Sequence, residues 1–147
     1  SSVDALSSKY YAEYVLKAPF PKGEDAIAKD PIVAYAYAED VLEGPFPKGE
    51  DAIGKHEKFA YTYARDILKG PFSKGEDIIA KNVRHAYDYA SHILRAPFPK
   101  GEDAIATDAH YSFMYAKHIL KGRFSKGEDV ISTDSVHLCL YKELLTK

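Results

Sequence analysis

The sequence predicts an all-α fold, an α-solenoid of five long-helix/turn/short-helix repeats closed by a C-terminal capping helix. Three observations predict it. Gly-Glu-Asp recurs at Gly23, Gly49, Gly75, Gly101 and Gly127, each 26 residues after the last (49 − 23, 75 − 49 and onward) with no insertion. A fixed period of this size is the signature of stacked repeats. Upstream of each tripeptide, apolar residues recur at helical spacing, and no stretch alternates as a strand would. The repeats run about 5–30, 31–56, 57–82, 83–108 and 109–134, with a capping half repeat at 135–147. One unit cannot bury its own apolar face, so the stack is read as a single domain over 1–147.

The second repeat justifies the elements in order. Asp30 is a good N-cap and Pro31 suits the first helical position. Ala34, Tyr37, Ala38, Val41 and Leu42 fall on one helical face. Gly44 stands where a left-handed C-terminal residue belongs, and Pro45 stops the helix. The helix from Pro31 to Glu43 is then about 20 Å long at 1.5 Å per residue. Asn82, Asp108 and Asp134 take the cap position later, and His56 replaces it once. After the turn, Phe46 is the anchor. Glu50 and Asp51 open a short helix where carboxylates favour the positive end of the dipole. Ile53 points inward, and a helix this short depends on its long neighbours. At the ends, Ser8 and Lys9 replace the Ala-Tyr pair of Ala34 and Tyr35, while Lys142 and Thr146 replace Ala38 and Leu42. Polar residues there are what capping repeats need, and they point to a discrete monomer.

Composition narrows the function classes. Apolar residues make up 46% and charged residues 29%, outside the disorder regime. The formal net charge of −2 gives no global attraction to nucleic acid or acidic membranes. No apolar run approaches a membrane span. The lone Cys139 excludes an intrachain disulfide and a thiolate zinc site, and fits an intracellular, reducing setting. The chain opens at Ser1 without a methionine, as a processed or recloned chain would; a removed leader is compatible with that start.

The string Tyr-Ala-x-x-Val/Ile-Leu-x-Gly-Pro-Phe-Pro/Ser-Lys-Gly-Glu-Asp-x-Ile-Ala resembles short helical repeats of uncharacterised phage and viral proteins. The resemblance covers nearly the whole chain. It implies a viral source, a host-cytoplasm location and a non-enzymatic role. The likeness to tetratricopeptide and HEAT solenoids is architectural analogy alone, since their period is longer.

Most eye-catching residues already have structural roles. Tyr11, Tyr37, Tyr63, Tyr89, Tyr115 and Tyr141 occupy the apolar face of every long helix. We read them as a core ladder, each hydroxyl reaching water or a carbonyl, in preference to a stacking platform for single-stranded nucleic acid. The paired carboxylates of the turns lack the alternating oxygen ligands of a calcium loop. Among six histidines, His92 and His118 share a repeat position, as do His85 and His137, and no His-x-x-x-His occurs. We read them as surface residues, and expect no metal and no cofactor. Without a phosphate loop, nucleophile elbow or zinc-protease helix, no catalytic residue is assigned and no enzyme is expected.

Function is then sought where the repeat fails to repeat. The changing positions of the second helix, Ile32, Ala36, Glu39, Asp40 and Glu43, form one stripe opposite the apolar face. Its charge runs from −3 on helix two to +2 on helix five, where Lys117 and Lys121 lie. The expected recognition residues are Lys58, Arg65, Lys69, Arg84, His92, Arg95, His110, Lys117, His118 and Lys121. The leading expectation is a non-enzymatic protein-binding scaffold whose partner presents an acidic patch. The alternatives are a structural or assembly subunit of a viral particle, and salt-dependent nucleic-acid binding through the basic half. A solvated face exchanging salt bridges is the plain structural explanation of the same stripe.

Overall fold

In the computed structural model, residues 2–147 are described, with side chains from Asp4 onward. The fold is all-helical, with eleven helices and no strand among the described residues. Each repeat contributes one long and one short helix. The long helices are α1 (2–16), α3 (31–42), α5 (59–68), α7 (83–94), α9 (109–120) and α11 (Ser135–Leu145). The short ones are α2 (21–27), α4 (47–53), α6 (73–79), α8 (99–105) and α10 (125–131), each a 3-10 turn running into one α turn. The chain divides into two compact units, Ser1–Ile78 and Ile79–Lys147.

Within the first unit, α1 packs on α3 and α3 on α5, while α2 meets the start of α4. Within the second, α7 packs on α9, α9 on α11, and α8 on α10. Each unit is therefore a two-layer stack, long helices beside long and short beside short. The cores are built from the constant positions. Tyr37, Tyr63, Ile27 and Ile53 are fully buried in the first unit, and Tyr89, Tyr115, Ile79, Ile105 and Ile131 in the second.

The N-caps form as the sequence predicts. Asp30 Oδ1 accepts from the amides of Ile32 and Val33 at 3.0 and 3.1 Å. Asn82, Asp108 and Asp134 cap α7, α9 and α11 in the same way. His56 also caps, its Nδ1 accepting from the amides of Lys58 and Phe59 at 3.2 and 3.3 Å.

The C-termini differ from expectation. The left-handed residue is not Gly44 but Glu43, with φ 50°, and no glycine has positive φ among the described residues. The cause is the last turn, which widens into a π-helix over Ala38–Leu42. The amides of Glu43 and Gly44 both donate to the Ala38 carbonyl, so the chain reverses one residue before the glycine. The same closure repeats at Ala12, Ala64, Ala90 and Ala116, with Lys17, Lys69, Arg95 and Lys121 left-handed.

The N-terminal end differs too. Lys9 is not a solvated capping residue. It is buried and paired with Glu13 and with Asp40, at 3.1 Å to the latter. Burial alone would depress its ammonium, but the two carboxylates outweigh that and hold it above the usual lysine range. Nor is this end polar, because α1 leaves Leu6, Tyr10, Tyr11, Tyr14, Val15 and Leu16 exposed. At the C-terminal end, Lys142 and Thr146 do face solvent as predicted.

Candidate recognition surface

A three-point clamp holds the repeats together and uses up their constant polar groups. The Tyr63 hydroxyl donates to Glu50 Oε2 at 2.8 Å and accepts from the Phe46 amide at 2.8 Å. Tyr37 repeats this with Glu24 and Phe20, Tyr115 with Glu102 and Phe98, and Tyr141 with Glu128 and Phe124. Glu24, Glu50, Glu102 and Glu128 therefore each anchor the next long helix, a role beyond dipole complementarity. The tyrosine oxygen meets a carboxylate and an amide, not water or a carbonyl. Burial pushes Tyr37 up to about 12 and Tyr63 and Tyr115 further up, the neighbouring carboxylate adding to the effect and the amide opposing it. Each turn needs glycine for room. At Gly49 a Cβ would lie 2.6 Å from the Phe46 ring and 2.9 Å from Ala34 Cβ.

The aspartates of the turns are also engaged. Lys48 pairs with Asp25 at 3.6 Å, and Lys74 with Asp51 and Lys126 with Asp103 at 3.1 Å each. These exposed ion pairs link consecutive turns within a unit and contribute little stability individually.

All ten sequence-predicted recognition residues are exposed: Lys58, Arg65, Lys69, Arg84, His92, Arg95, His110, Lys117, His118 and Lys121. Their electrostatic states differ. Arg65 is held in two hydrogen bonds by Asp66, at 2.8 and 2.9 Å, and lies over the Tyr61 ring. Those bonds raise the Arg65 guanidinium and hold the Asp66 carboxyl below its usual range. Arg84 lies 3.7 Å from Asp88, with His92 at 4.0 Å from the same residue. Lys58 and Lys117 lie over the rings of Phe59 and Phe113. Lys69 faces Asp66 and helps to hold its carboxyl down, whereas among the described residues Arg95, Lys117 and Lys121 have no acidic partner.

In the first unit, a groove of about 330 Å³ beside α3 and α5 is lined by Glu39, Glu43, Pro45, Asp66, Ile67 and Lys69. Its balance is acidic. In the second unit, the terminal turns of α7 and α9 touch, which places Arg95 and Lys121, at the same repeat position, along one basic edge with Lys117. The charge pattern read from α3 onward omits α1, whose stripe positions carry Leu6, Tyr10 and Tyr14. Tyr10 and Tyr14 pack ring to ring at 5.7 Å beside a groove of about 600 Å³ that also meets Ser7, Tyr11 and Val15. Aligning the first repeat with the others reveals these aromatics, because later stripe positions carry Ala36, Asp40, Thr62 and Asp66.

The row of left-handed residues is the least economical feature of the surface. A non-glycine residue in this conformation costs roughly 1–2 kcal/mol. A cation at a helix C-terminus recovers only about 0.3–1 kcal/mol from the dipole. Glu43 recovers none, since its charge has the wrong sign for that end. Glu43→Gly is therefore expected to stabilise the chain by about 1–2 kcal/mol, read as a higher urea midpoint. A lower midpoint would show that Glu43 makes a compensating interaction.

Comparison with family models, with curated proteins and with solved structures finds no match to this chain.

Proposed function

We propose that the chain is a non-enzymatic protein-binding scaffold that uses the basic edge of its second unit to engage a partner with an acidic patch. One observation carries this reading. At the end of each long helix from α1 to α9 the chain holds a long charged side chain where glycine is cheaper, at Lys17, Glu43, Lys69, Arg95 and Lys121. Backbone strain repeated at equivalent exposed positions is expected where the side chain serves recognition. The constant polar groups around it are occupied by the tyrosine clamp, which leaves the stripe for binding. No helix among the described residues is long and apolar enough to cross a membrane, and the single, unpaired Cys139 supports an intracellular setting.

The test reverses the unpaired cations. The triple variant R95E/K117E/K121E is expected to keep wild-type circular dichroism and to lose at least tenfold in affinity for proteins captured by the wild type. Equal capture by both proteins would sink the reading for this edge. Capture of DNA or RNA with a steep salt dependence would favour nucleic-acid binding instead. A second reading, an assembly subunit, is favoured by the aromatic face of α1, since monomers rarely leave a contiguous apolar patch of this kind uncovered. Its occupant would be a second copy of the chain, and light scattering on the same preparations separates the two. A concentration-independent monomer supports the scaffold.

A further inference from the structure

The fold brings together two histidines that lie 27 residues apart in sequence. His110 is in the first turn of α9 and His137 in the first turn of α11, both within the second unit. His110 Nδ1 stands 3.3 Å from His137 Nε2, with the ring planes at 74°. The separation has a specific chemical meaning. Two imidazole nitrogens bound to one zinc ion at 2.0–2.1 Å, at the tetrahedral angle, lie about 3.3–3.4 Å apart. A modest rotation of each ring turns the two lone pairs from each other toward a shared point.

The surroundings fit that use. Metal-binding histidines usually give their second nitrogen to a carboxylate, which fixes the tautomer and strengthens the ligand. His137 Nδ1 is buried and makes no aligned hydrogen bond, yet it lies 3.1 Å from Asp134 Oδ1. Asp134 Oδ1 already accepts from the amides of Val136 and His137 at 3.0 Å each, which fixes the carboxylate where it can accept Nδ1–H. The Phe113 ring, 6.0 Å from His137, backs the imidazole with apolar surface. His110 packs against Tyr111 at 5.4 Å.

The helix N-termini present positive dipole ends, which oppose a cation. The two caps, Asp108 and Asp134, place a carboxylate at each of those ends. On the neighbouring α7, Arg84 holds the position equivalent to His110, and Asp88 pairs with it. On α11 the position equivalent to His110 is the apolar Val136. No third His, Cys, Asp or Glu joins the pair among the described residues, so an ion held here would take its remaining ligands from water.

We propose that His110 and His137 form a binding site for a late first-row divalent metal ion of the zinc class, with Asp134 as the positioning carboxylate. Imidazole suits zinc, copper and nickel, whereas magnesium and calcium prefer oxygen ligands. Bridging α9 to α11, the ion would staple the terminal helix onto its neighbour. A ligand that binds only the folded state raises its stability.

The test is titration of the full chain with zinc chloride near neutral pH, read by calorimetry and by the thermal midpoint. One ion is expected to bind and to raise the midpoint, with chelator reversing the shift. His110→Gln changes an exposed residue and is expected to keep the fold while reducing zinc affinity at least tenfold. His137→Gln is expected to do the same. Asp134→Asn preserves the cap, since asparagine caps as well as aspartate, and is expected to weaken binding by about tenfold or more. His92→Gln and His118→Gln are expected to leave binding unchanged. Failure of the wild-type chain to bind zinc at about 100 µM, a concentration that would shift the midpoint of a micromolar site, overturns the proposal. So does binding that survives His110→Gln.

Discussion

Tyr63→Phe is expected to destabilise the chain by about 2–4 kcal/mol, although it deletes one oxygen atom and leaves the ring packing intact. The reason is the clamp. The hydroxyl is fully buried, donates to Glu50 and accepts from the Phe46 amide. Without it, a buried amide loses its acceptor, at about 1–3 kcal/mol, and a carboxylate loses a charge-assisted donor worth about 1.5–3 kcal/mol. Glu50 is partly exposed and recovers some hydration, which keeps the total below the sum. Against a stability of about 7–22 kcal/mol for a chain of this length, the loss is large. Tyr35→Phe is the control. Its hydroxyl makes one long bond, 3.3 Å to Glu39, and its loss is expected to cost less than about 1 kcal/mol. Urea unfolding of both variants checks the pair. Equal effects would show that the clamp contributes no more than an ordinary surface hydrogen bond.

Alkaline solution is expected to unfold the chain cooperatively between pH 10 and 12. A tyrosine in an unfolded chain ionises near pH 10. In the folded chain, burial pushes Tyr37 and Tyr35 up to about 12 and Tyr63 and Tyr115 higher. The folded state therefore holds protons that the unfolded state releases. Their contribution to stability is fully present below pH 10 and is lost as pH rises through about 12. Because the same group is placed beside a carboxylate in successive repeats, the losses accumulate on one transition. Tyrosinate absorbance and helical circular dichroism are expected to change together in this range. A gradual tyrosinate signal centred near pH 10, with the helices intact, would contradict the buried clamp.

The histidine pair and the clamp mark the boundary between what one helix dictates and what packing adds. The 26-residue period, the inward tyrosines, the N-caps at Asp30, Asn82, Asp108 and Asp134, and the exposure of all ten stripe residues are local properties. They follow from helical spacing and from the conformational preferences of single residues. The position of Glu43 is not local in that sense. Gly44 is the better left-handed residue by intrinsic preference, but the π turn closing on Ala38 shifts the reversal by one place.

Contacts between repeats escape periodic reading for a different reason. Tyr63 and Glu50 are 13 residues apart, half a period, and nothing in either residue type announces a bond; only the packing of a long helix on the preceding turn makes it. That spacing recurs at Tyr37, Tyr115 and Tyr141, so a search for polar pairs at half-period separation offers a sequence signal for it. His110 and His137 differ by one residue more than the period, so alignment by repeat places them at different positions. Side-chain length and the offset of α11 on α9 bring their nitrogens within 3.3 Å. Arg65, free in any count of charges, is tied to Asp66 once its rotamer is known. Composition and period thus specify which helices form and which faces are buried, because those depend on spacing along one helix. Which polar atoms meet depends on distances between helices, and these exist only after the repeats have packed.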